Sequence, residues 1–427
     1  MTNPILCKTK VILRTLTVCC LMFISCFCQG QINKKSHYAV KASINVKQQT
    51  FNVEANISYV PKPNDSLNTL TFMIHENADI ESCKVKGLVK YEVKKGDNKI
   101  SSLILYFKEN IKEEIQVNLK YSSVLKKDDA PWGIDKISDE WIELSLNSVW
   151  LPIVATFDNQ FDAQLDIKII ADTDFNVLSS GLSKKVGHNT YKIKNVTPQI
   201  DLVLIGSPNF YKSNGKNITI YDHKLNEERN KLMFDYGERS YTWLNNSFGK
   251  AKKIPPAKLV ITPRKESGYA RKNFIVLSND ISVNNTIHFA NYIAHEFAHF
   301  WSSGANPLTA HRWLDESIAE YIAWKYVQKE FGDNALDEFL TRVKKEAPTL
   351  PPVYTKEAAK VPSHAVMYRK GVGKLFELEE MIGESTMFTL MTEWFKEDVK
   401  DSEKFLQLIK DVIGVETAQK FRTKLSK

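Results

Sequence analysis

The sequence predicts two successive domains, an N-terminal antiparallel β-sandwich or saddle followed by a mainly helical α/β domain. The chain has 427 residues, which is more than one ordinary core accommodates, and 43% of them are hydrophobic and 25% charged, as in globular proteins. Residues 36 to 212 alternate apolar and polar side chains in short runs. From residue 213 onwards, apolar side chains recur every three or four residues, as they do in helices.

The first 30 residues have the layout of a secretory signal peptide. Three basic residues precede an apolar run, residues 16 to 28, that is too short for a transmembrane helix. We expect cleavage after Gly30. Cleavage after Cys28 and lipid attachment at Cys26, in a segment that weakly resembles a lipobox, are the alternatives. The mature chain is then expected to be exported (periplasmic, extracellular or surface-attached), without a transmembrane helix.

The segments Ala39–Val46 and Phe51–Tyr59 alternate most clearly and predict strands with one buried face. Turn residues follow at Pro61–Asp65 and Gly96–Asn98. Further strands are predicted near residues 70–74, 104–107, 115–121, 163–170, 177–179, 191–194 and 202–205. Strands at this spacing, without helices between them, favour an antiparallel domain over residues 31–212.

Residues 213–427 are predicted to form the second domain. A helix is expected from Leu225 to Phe248, with Gly249 as its end, and two short strands follow near residues 258–262 and 273–278. Helices then dominate, one around residues 291–301, one from about Asp315 to Phe331, and a final group from Tyr368 to the end.

Charge and cysteine content exclude two classes of protein. The net charge of +8 is modest for this length and no dense basic cluster with interleaved aromatic residues occurs, so no nucleic-acid partner is expected. Five of the six cysteines lie in the first 30 residues. Cys83 alone remains in the mature chain, which excludes an intramolecular disulfide and favours a small buried apolar side chain.

The segment His295-Glu296-Phe-Ala-His299 has the pattern H-E-x-x-H. On a helix, positions four apart share a face, so His295 and His299 can bind one metal ion while Glu296 projects toward it. Downstream, the segment Trp313-Leu-Asp-Glu316 supplies a carboxylate, that of Glu316, as the third ligand. Two His and one Glu, with a fourth position open to water, form a catalytic rather than a structural zinc site.

These residues resemble the gluzincin metallopeptidases of the membrane-alanyl-aminopeptidase family, whose pattern is H-E-x-x-H followed by W-L-N-E-G-x-A. Trp150-Leu-Pro152 is similar to a segment that ends the β domain in that family, and Tyr368-Arg-Lys-Gly371 is similar to its Y-x-K-G. The resemblance implies a thermolysin-like catalytic domain with one zinc ion per chain. It also implies a short form, because only about a hundred residues follow the zinc helices, where full-length members add a large helical domain.

The third ligand lies closer to the second His than the family pattern places it. Sixteen residues separate His299 from Glu316, whereas the family usually has eighteen. The local frame Trp-Leu-Asp-Glu aligns Glu316 with the family ligand, and a loop shortened by two residues is easily accommodated. Glu320, one helical turn further on, is either a hydrogen-bond acceptor for a ligand His or a solvated carboxylate. His311, in the loop, is expected at the surface.

The resemblance and the chemistry together predict hydrolysis of a peptide or protein substrate. Zinc would lower the pKa of its bound water, Glu296 would take the proton as the water attacks a carbonyl, and Tyr368 would stabilise the oxyanion. An alternative is that Tyr368 is only a packing residue. The other reading of the whole chain is a secreted zinc-containing binding protein on a gluzincin scaffold, with little or no peptidase activity.

The amine anchor of the family has no counterpart in the sequence. Aminopeptidases of this family carry G-x-M-E-N upstream of the zinc helix, and its Glu binds the free amine of the substrate. Here the stretch is Gly268-Tyr-Ala-Arg271-Lys272-Asn273, without a carboxylate. Gly268, Arg271 and Asn273 are expected to line the cleft, and the Arg271-Lys272 pair to repel an ammonium group. The chain is therefore either aminopeptidase-like with a doubtful anchor or an endopeptidase.

Overall fold

The computed structural model describes residues 35–62, 67–96, 100–125, 135–156, 160–265, 267–302, 304–358 and 360–427. The expected signal peptide, residues 1–30, and the candidate lipidation site Cys26 lie outside these residues. The predicted fold class is confirmed: a domain of several β-sheets precedes a mainly helical domain.

Three sheets form the N-terminal domain. The largest has seven strands in the order β13-β14-β11-β1-β2-β7-β4, and two four-stranded sheets have the orders β10-β3-β6-β5 and β12-β15-β9-β8. The strands are β1 (Ser36–Asn45), β2 (Thr50–Tyr59), β3 (Leu67–His75), β4 (Asp79–Val85), β5 (Leu88–Lys95), β6 (Ile100–Ile111), β7 (Ile115–Val124), β8 (Lys136–Ile137), β9 (Ile142–Leu144), β10 (Ile153–Val154), β11 (Phe161–Ile170), β12 (Asn176–Ser179), β13 (Leu182–Gly187), β14 (Thr190–Lys194) and β15 (Leu204–Ser207). Their described pairings are antiparallel, except that β1 lies parallel to β11.

The alternation in β2 shows why the sequence predicted this domain well. Phe51, Val53, Ala55, Ile57 and Tyr59 are buried, while the residues between them are exposed or half-buried. Successive side chains of a strand point to opposite faces, so one face enters the core and the other meets water.

The Trp150-Leu-Pro152 segment is fixed inside this domain by two buried hydrogen bonds. The Tyr121 hydroxyl donates to the Trp150 carbonyl at 2.6 Å, and the Trp150 indole donates to the Leu202 carbonyl at 3.0 Å. A tryptophan is buried without penalty when its N–H has such an acceptor.

A five-stranded sheet opens the second domain, in the order β16-β17-β18-β20-β19. Its strands are β16 (Tyr211–Asn214), β17 (Ile218–Asp222), β18 (Ala257–Thr262), β19 (Tyr269–Arg271) and β20 (Phe274–Ser278). β17, β18 and β20 run parallel, and β19 forms an antiparallel edge beside β20. The predicted domain boundary at residue 212 lies within β16, which already pairs with this sheet.

Eight α-helices are described, all in this domain, and they form one large core with the sheet. They are α1 (Glu227–Phe248), α2 (Thr286–Ala298), α3 (Trp313–Phe331), α4 (Asp333–Glu346), α5 (Val372–Ile382), α6 (Glu384–Glu397), α7 (Ser402–Val412) and α8 (Val415–Leu425). Within the described ranges, no helix combines the length and apolar character needed to cross a membrane.

The two domains meet at a mixed apolar and charged interface. Trp141, Val203 and Ile205 of the first domain pack against Val260, Phe274 and Val276 of the second. Beside them, Glu143 and Arg264 form a salt bridge of 2.8 Å in which each side chain is 1% exposed. The Trp141 indole also donates to Glu143, at 3.3 Å.

We predict that breaking this ion pair from one side destabilises the protein strongly. Arg264→Met leaves the Glu143 charge buried without its partner, which should lower the free energy of unfolding by about 3–5 kcal/mol. Urea unfolding followed by tryptophan fluorescence measures the loss. The double variant Arg264→Met/Glu143→Leu should recover much of it, since both charges are then removed. Strictly additive losses would contradict this account.

A second prediction concerns pH and Asp135, which lies beside Glu143. Burial, and secondly the Glu143 charge, raise the pKa of Asp135 to about 7. The folded protein thus holds this proton more tightly than the unfolded chain does, so the free energy of unfolding should fall as pH rises from about 4 to about 7. Asp135→Asn should flatten this slope, whereas Asp166→Asn, at an exposed position, should keep it. An unchanged slope in Asp135→Asn would refute the prediction.

Candidate zinc centre

Two histidines and a glutamate from neighbouring helices converge at the predicted metal site. His295 lies on α2, His299 caps its C-terminus, and Glu316 lies in the first turn of α3. The His295 and His299 Nε2 atoms are 3.1 Å apart, and they lie 3.7 and 3.6 Å from Glu316 Oε2. Zinc bonds of about 2.0–2.2 Å place tetrahedral ligand atoms roughly 3.3–3.5 Å apart. The donor set and spacing therefore fit zinc.

The zinc helix is positioned at both ends by its own sequence. At its start, the Asn285 side chain accepts the His288 N–H at 3.1 Å, which satisfies a donor that the helix leaves free. At its end, the His299 N–H donates to the His295 carbonyl at 3.3 Å, so both imidazoles remain on one face.

The second nitrogen of each ligand histidine has an oxygen neighbour, which leaves Nε2 for the metal. His295 Nδ1 lies 2.8 Å from Glu320 Oε2, and His299 Nδ1 lies 3.2 Å from the Ser302 carbonyl. The other Glu320 oxygen accepts from the Trp324 indole at 2.7 Å and the Asn291 amide at 3.1 Å. Glu320 is thus not a solvated carboxylate: it is 9% exposed and lies at ion-pair distance from His295 Nδ1, although that nitrogen has no hydrogen bond of good geometry among the described residues.

The electrostatics of this cluster favour a cation. Burial alone would lower the pKa of His295, but Glu316 and Glu320 outweigh it and raise that pKa to about 10. Burial would raise the pKa of Glu316, but the two imidazoles outweigh it and hold that pKa well below its usual range. Without a metal, the carboxylates thus retain protons on the imidazoles, and a divalent ion can replace those protons.

Glu296 is buried between these ligands and the cleft. Burial is the main cause that raises its pKa, although both imidazoles oppose this. Its Oε2 has no hydrogen-bond partner within the described ranges. A buried carboxylate oxygen without a partner is costly and is typical of a functional group.

Gly268 provides the space that Glu296 occupies. A Cβ at residue 268 would lie 2.8 Å from Glu296 Oε1, 2.3 Å from the Tyr292 hydroxyl and 2.9 Å from the Val276 carbonyl. Only glycine lets the chain before β19 approach the zinc helix so closely.

Tyr368 also lies beside the three metal-binding candidates, on a π-helical turn (Val366–Gly371). Its hydroxyl donates to Glu316 Oε2. Its ring stacks on His364, with centroids 4.0 Å apart, and lies 5.4 Å from the ring of His295. Burial is the main cause that raises the pKa of Tyr368 well above 10, so the phenol remains a hydrogen-bond donor at neutral pH.

The π-helical turn is tied to the ligand helix through Ser317. The Ser317 hydroxyl donates to the Met367 carbonyl at 2.6 Å, and a Cβ at Gly371 would lie 2.2 Å from that hydroxyl oxygen. π-turns widen a helix by one residue and leave a carbonyl for a side-chain donor to satisfy. Ser317 and Gly371 thus set the distance between Tyr368 and Glu316.

These groups line a cleft of about 740 Å³. Most of the predicted site residues meet there: His295, Glu296, His299, Glu316, Glu320, Tyr368, Gly268 and Arg271. Asn273 does not join them, because its amide donates to the Pro256 carbonyl at 2.7 Å. His311 also lies elsewhere, 3.0 Å from both Asp401 and Ser402.

The expected repulsion by Arg271 and Lys272 has no basis in the contacts of these residues. Arg271 forms two bonds to Asp201, at 2.5 and 3.0 Å. Lys272 donates to the Thr197 hydroxyl and, at 3.3 Å, to the Pro198 carbonyl. Arg271 is charge-matched and Lys272 points away, so neither presents a free cation to the cleft.

Sequence reasoning missed two ion pairs that join the segment around β19 to the first domain. The ring of Tyr269 lies between two guanidinium groups, 4.4 Å from Arg264 and 5.1 Å from Arg271. The carboxylates that balance them, Glu143 and Asp201, come from the first domain. Arg264 and Glu143 are 121 residues apart in sequence, and Arg271 and Asp201 are 70 apart. Pairs so far apart leave no local signal in the sequence.

Comparison with known proteins identifies the fold. No protein-family model matches the chain. An M1 zinc metallopeptidase from Deinococcus radiodurans superposes with a TM-score of 0.67 at 14% identity, over 91% of this chain and 93% of that one. Native leukotriene A4 hydrolase from Saccharomyces cerevisiae superposes with a TM-score of 0.69 at 15% identity, over 93% and 68%. The chain has the M1 zinc metallopeptidase fold. The resemblance drawn from the motifs is thereby confirmed for the architecture.

We predict energetic coupling between Ser317 and Gly371 in this M1 fold. Gly371→Ala should lower the free energy of unfolding by roughly 1–3 kcal/mol, because its methyl group meets the Ser317 hydroxyl. Ser317→Ala should cost about 1–3 kcal/mol by leaving the Met367 carbonyl unsatisfied. In the double variant the hydroxyl oxygen at 2.2 Å is gone and the nearest atom is the Cβ of residue 317 at 3.1 Å, so the combined loss should be smaller than the sum. Chemical denaturation of all four proteins provides the cycle, and additivity would contradict the contact.

Proposed function

We propose that this chain is an exported zinc-dependent peptidase that hydrolyses peptide bonds. The observation that carries the proposal is the geometry of one site. Three ligand atoms at zinc spacing lie beside a buried Glu296 oxygen without a partner, in an open cleft. A structural zinc site would need a fourth protein ligand and no buried base.

The roles of the residues follow from their positions. His295, His299 and Glu316 would hold zinc, which when bound supplies Lewis-acid polarisation of a carbonyl and acidifies water. Glu296 accepts a proton from the water that adds to the carbonyl carbon, and returns a proton to the nitrogen as the C–N bond breaks. Tyr368, whose hydroxyl donates to Glu316 in this structure, would redirect that hydrogen bond to the carbonyl oxygen as negative charge develops there.

Export is supported by the sequence of the first 30 residues, with their basic start and short apolar run. Five of the six cysteines lie in that segment, and Cys83, the cysteine that remains, is a free thiol. Once those residues are removed, Cys83 has no cysteine left to pair with, so the mature chain would rely on its two large cores for stability outside the cell.

Within the described residues, the two carboxylates that hydrogen-bond to side chains of β19, the strand in the stretch that corresponds to the family's amine anchor, are both ion-paired. Arg264 matches the charge of Glu143, which the Tyr269 hydroxyl contacts at 3.4 Å. Arg271 matches the charge of Asp201. A variant of the Deinococcus enzyme has been solved bound to a Tyr-Ser-Ala substrate. Short peptides with free and with acetylated amino termini are therefore the first substrates to compare.

We predict that the wild-type chain binds one zinc ion, and that Glu296→Gln still binds zinc but loses most of its peptidase turnover. The amide keeps the size of the side chain but cannot accept the proton, so kcat should fall roughly 10²–10⁴-fold while zinc content is retained. His299→Ala should lose the metal itself. Zinc is measured by mass spectrometry of the purified chain, and cleavage by chromatography of a peptide library.

Each outcome has a distinct meaning. Substoichiometric zinc after incubation with the metal would refute the site. Full zinc with cleavage no faster than in Glu296→Gln would favour the secreted zinc-binding protein. Cleavage restricted to free amino termini would show that the amine is recognised without a dedicated carboxylate.

A further inference from the structure

Three arginines line the cleft, and two of them are electrically matched. Arg264 pairs with Glu143, and Arg271 pairs with Asp201. In each pair the carboxylate is no more than 2% exposed, so solvent screens the attraction little. These two guanidinium groups therefore add little net charge to the cleft.

Arg312 is arranged differently. Within the described ranges its one charged partner is Glu316, and a single Nη2–Oε1 contact of 3.4 Å joins them. This contact is a long hydrogen bond, and it occupies one of the N–H donors of Arg312. The Arg312 side chain is 40% exposed and lines the cleft, so most of its five N–H donors remain available.

The neighbouring acid groups do not satisfy Arg312. Asp315 turns to the loop, where its carboxylate accepts the Gly304 and Ala305 N–H groups at 3.0 to 3.2 Å. Glu320 is held by Trp324 and Asn291. Glu316 itself is a predicted zinc ligand, and its charge would be shared with the metal.

We propose that Arg312 binds a carboxylate of the substrate, which makes the cleft selective for peptides with an acidic group near the scissile bond. This inference rests on the proposed peptidase function. A guanidinium group binds a carboxylate through two parallel hydrogen bonds, a geometry that an uncharged amide cannot match. The carboxylate is that of an Asp or Glu side chain or of the peptide C-terminus.

Two peptide series distinguish these sources. One replaces Glu by Gln at each position in turn, and the other compares C-terminal acids with C-terminal amides. In one of the two series, the wild-type chain should cleave the peptide with the carboxylate in preference to its amide counterpart. The expected preference is roughly 10- to 100-fold in kcat/KM, mainly through a lower KM. The series in which the preference appears identifies the source.

Variants assign the preference to this side chain. Arg312→Gln should abolish the ratio between the carboxylate and amide members of the pair, and Arg312→Lys should keep part of it, because it retains the charge but not the fork. Arg239→Gln is the matched control, since Arg239 is an exposed arginine on α1 paired with Glu330. It should keep the wild-type ratio.

Binding is measured separately from turnover. Zinc-loaded Glu296→Gln should bind the carboxylate peptide more tightly than its amide partner in calorimetry, and Glu296→Gln/Arg312→Gln should bind both alike. Equal affinities in the parent variant, or a ratio that survives Arg312→Gln, would overturn the proposal. Loss of zinc in Arg312→Gln would also overturn it, by showing that Arg312 only positions Glu316.

The proposed function and this inference fail in different ways. A wild-type chain that holds zinc but cleaves no peptide refutes the peptidase proposal. The calorimetric comparison still decides whether Arg312 recognises a carboxylate.

Discussion

The structure of the site depends on the contact between the zinc helix α2 and the ligand helix α3. This contact places two imidazoles and the carboxylates of Glu316 and Glu320 in a space largely closed to water. So much negative charge is stable there only with protons or a cation, because the interior screens charge poorly. The helices that bury the charge thus also create a site that favours a bound cation.

Everything else at the centre adjusts to that pair of helices. Gly268 lets the chain before the edge strand β19 approach α2, and Gly371 lets the π-helical turn approach α3. In both places the absence of a side chain on glycine lets the backbone lie directly against the site. The geometry is therefore set by backbone proximity and not by long, adaptable side chains.

The fold class and the clustering of His295, His299 and Glu316 could be predicted because their signals are local. Alternation in β2 reports one buried face, and the spacing of His295 and His299 reports one helical face. Ion pairs between domains leave no such pattern, so Glu143 and Asp201 went unnoticed. The repulsion expected from Arg271 and Lys272 failed for the same reason, since a charge in sequence says nothing about its partner in space.

The two arginines that contact the Tyr269 ring, Arg264 and Arg271, limit how the two domains can be recombined. Arg264 and Arg271 belong to the second domain, while the acids that neutralise them belong to the β domain. If the second domain were joined to a foreign partner, Arg264 and Arg271 would lose these carboxylates and lie unpaired beside the cleft. The β domain is therefore not an interchangeable module.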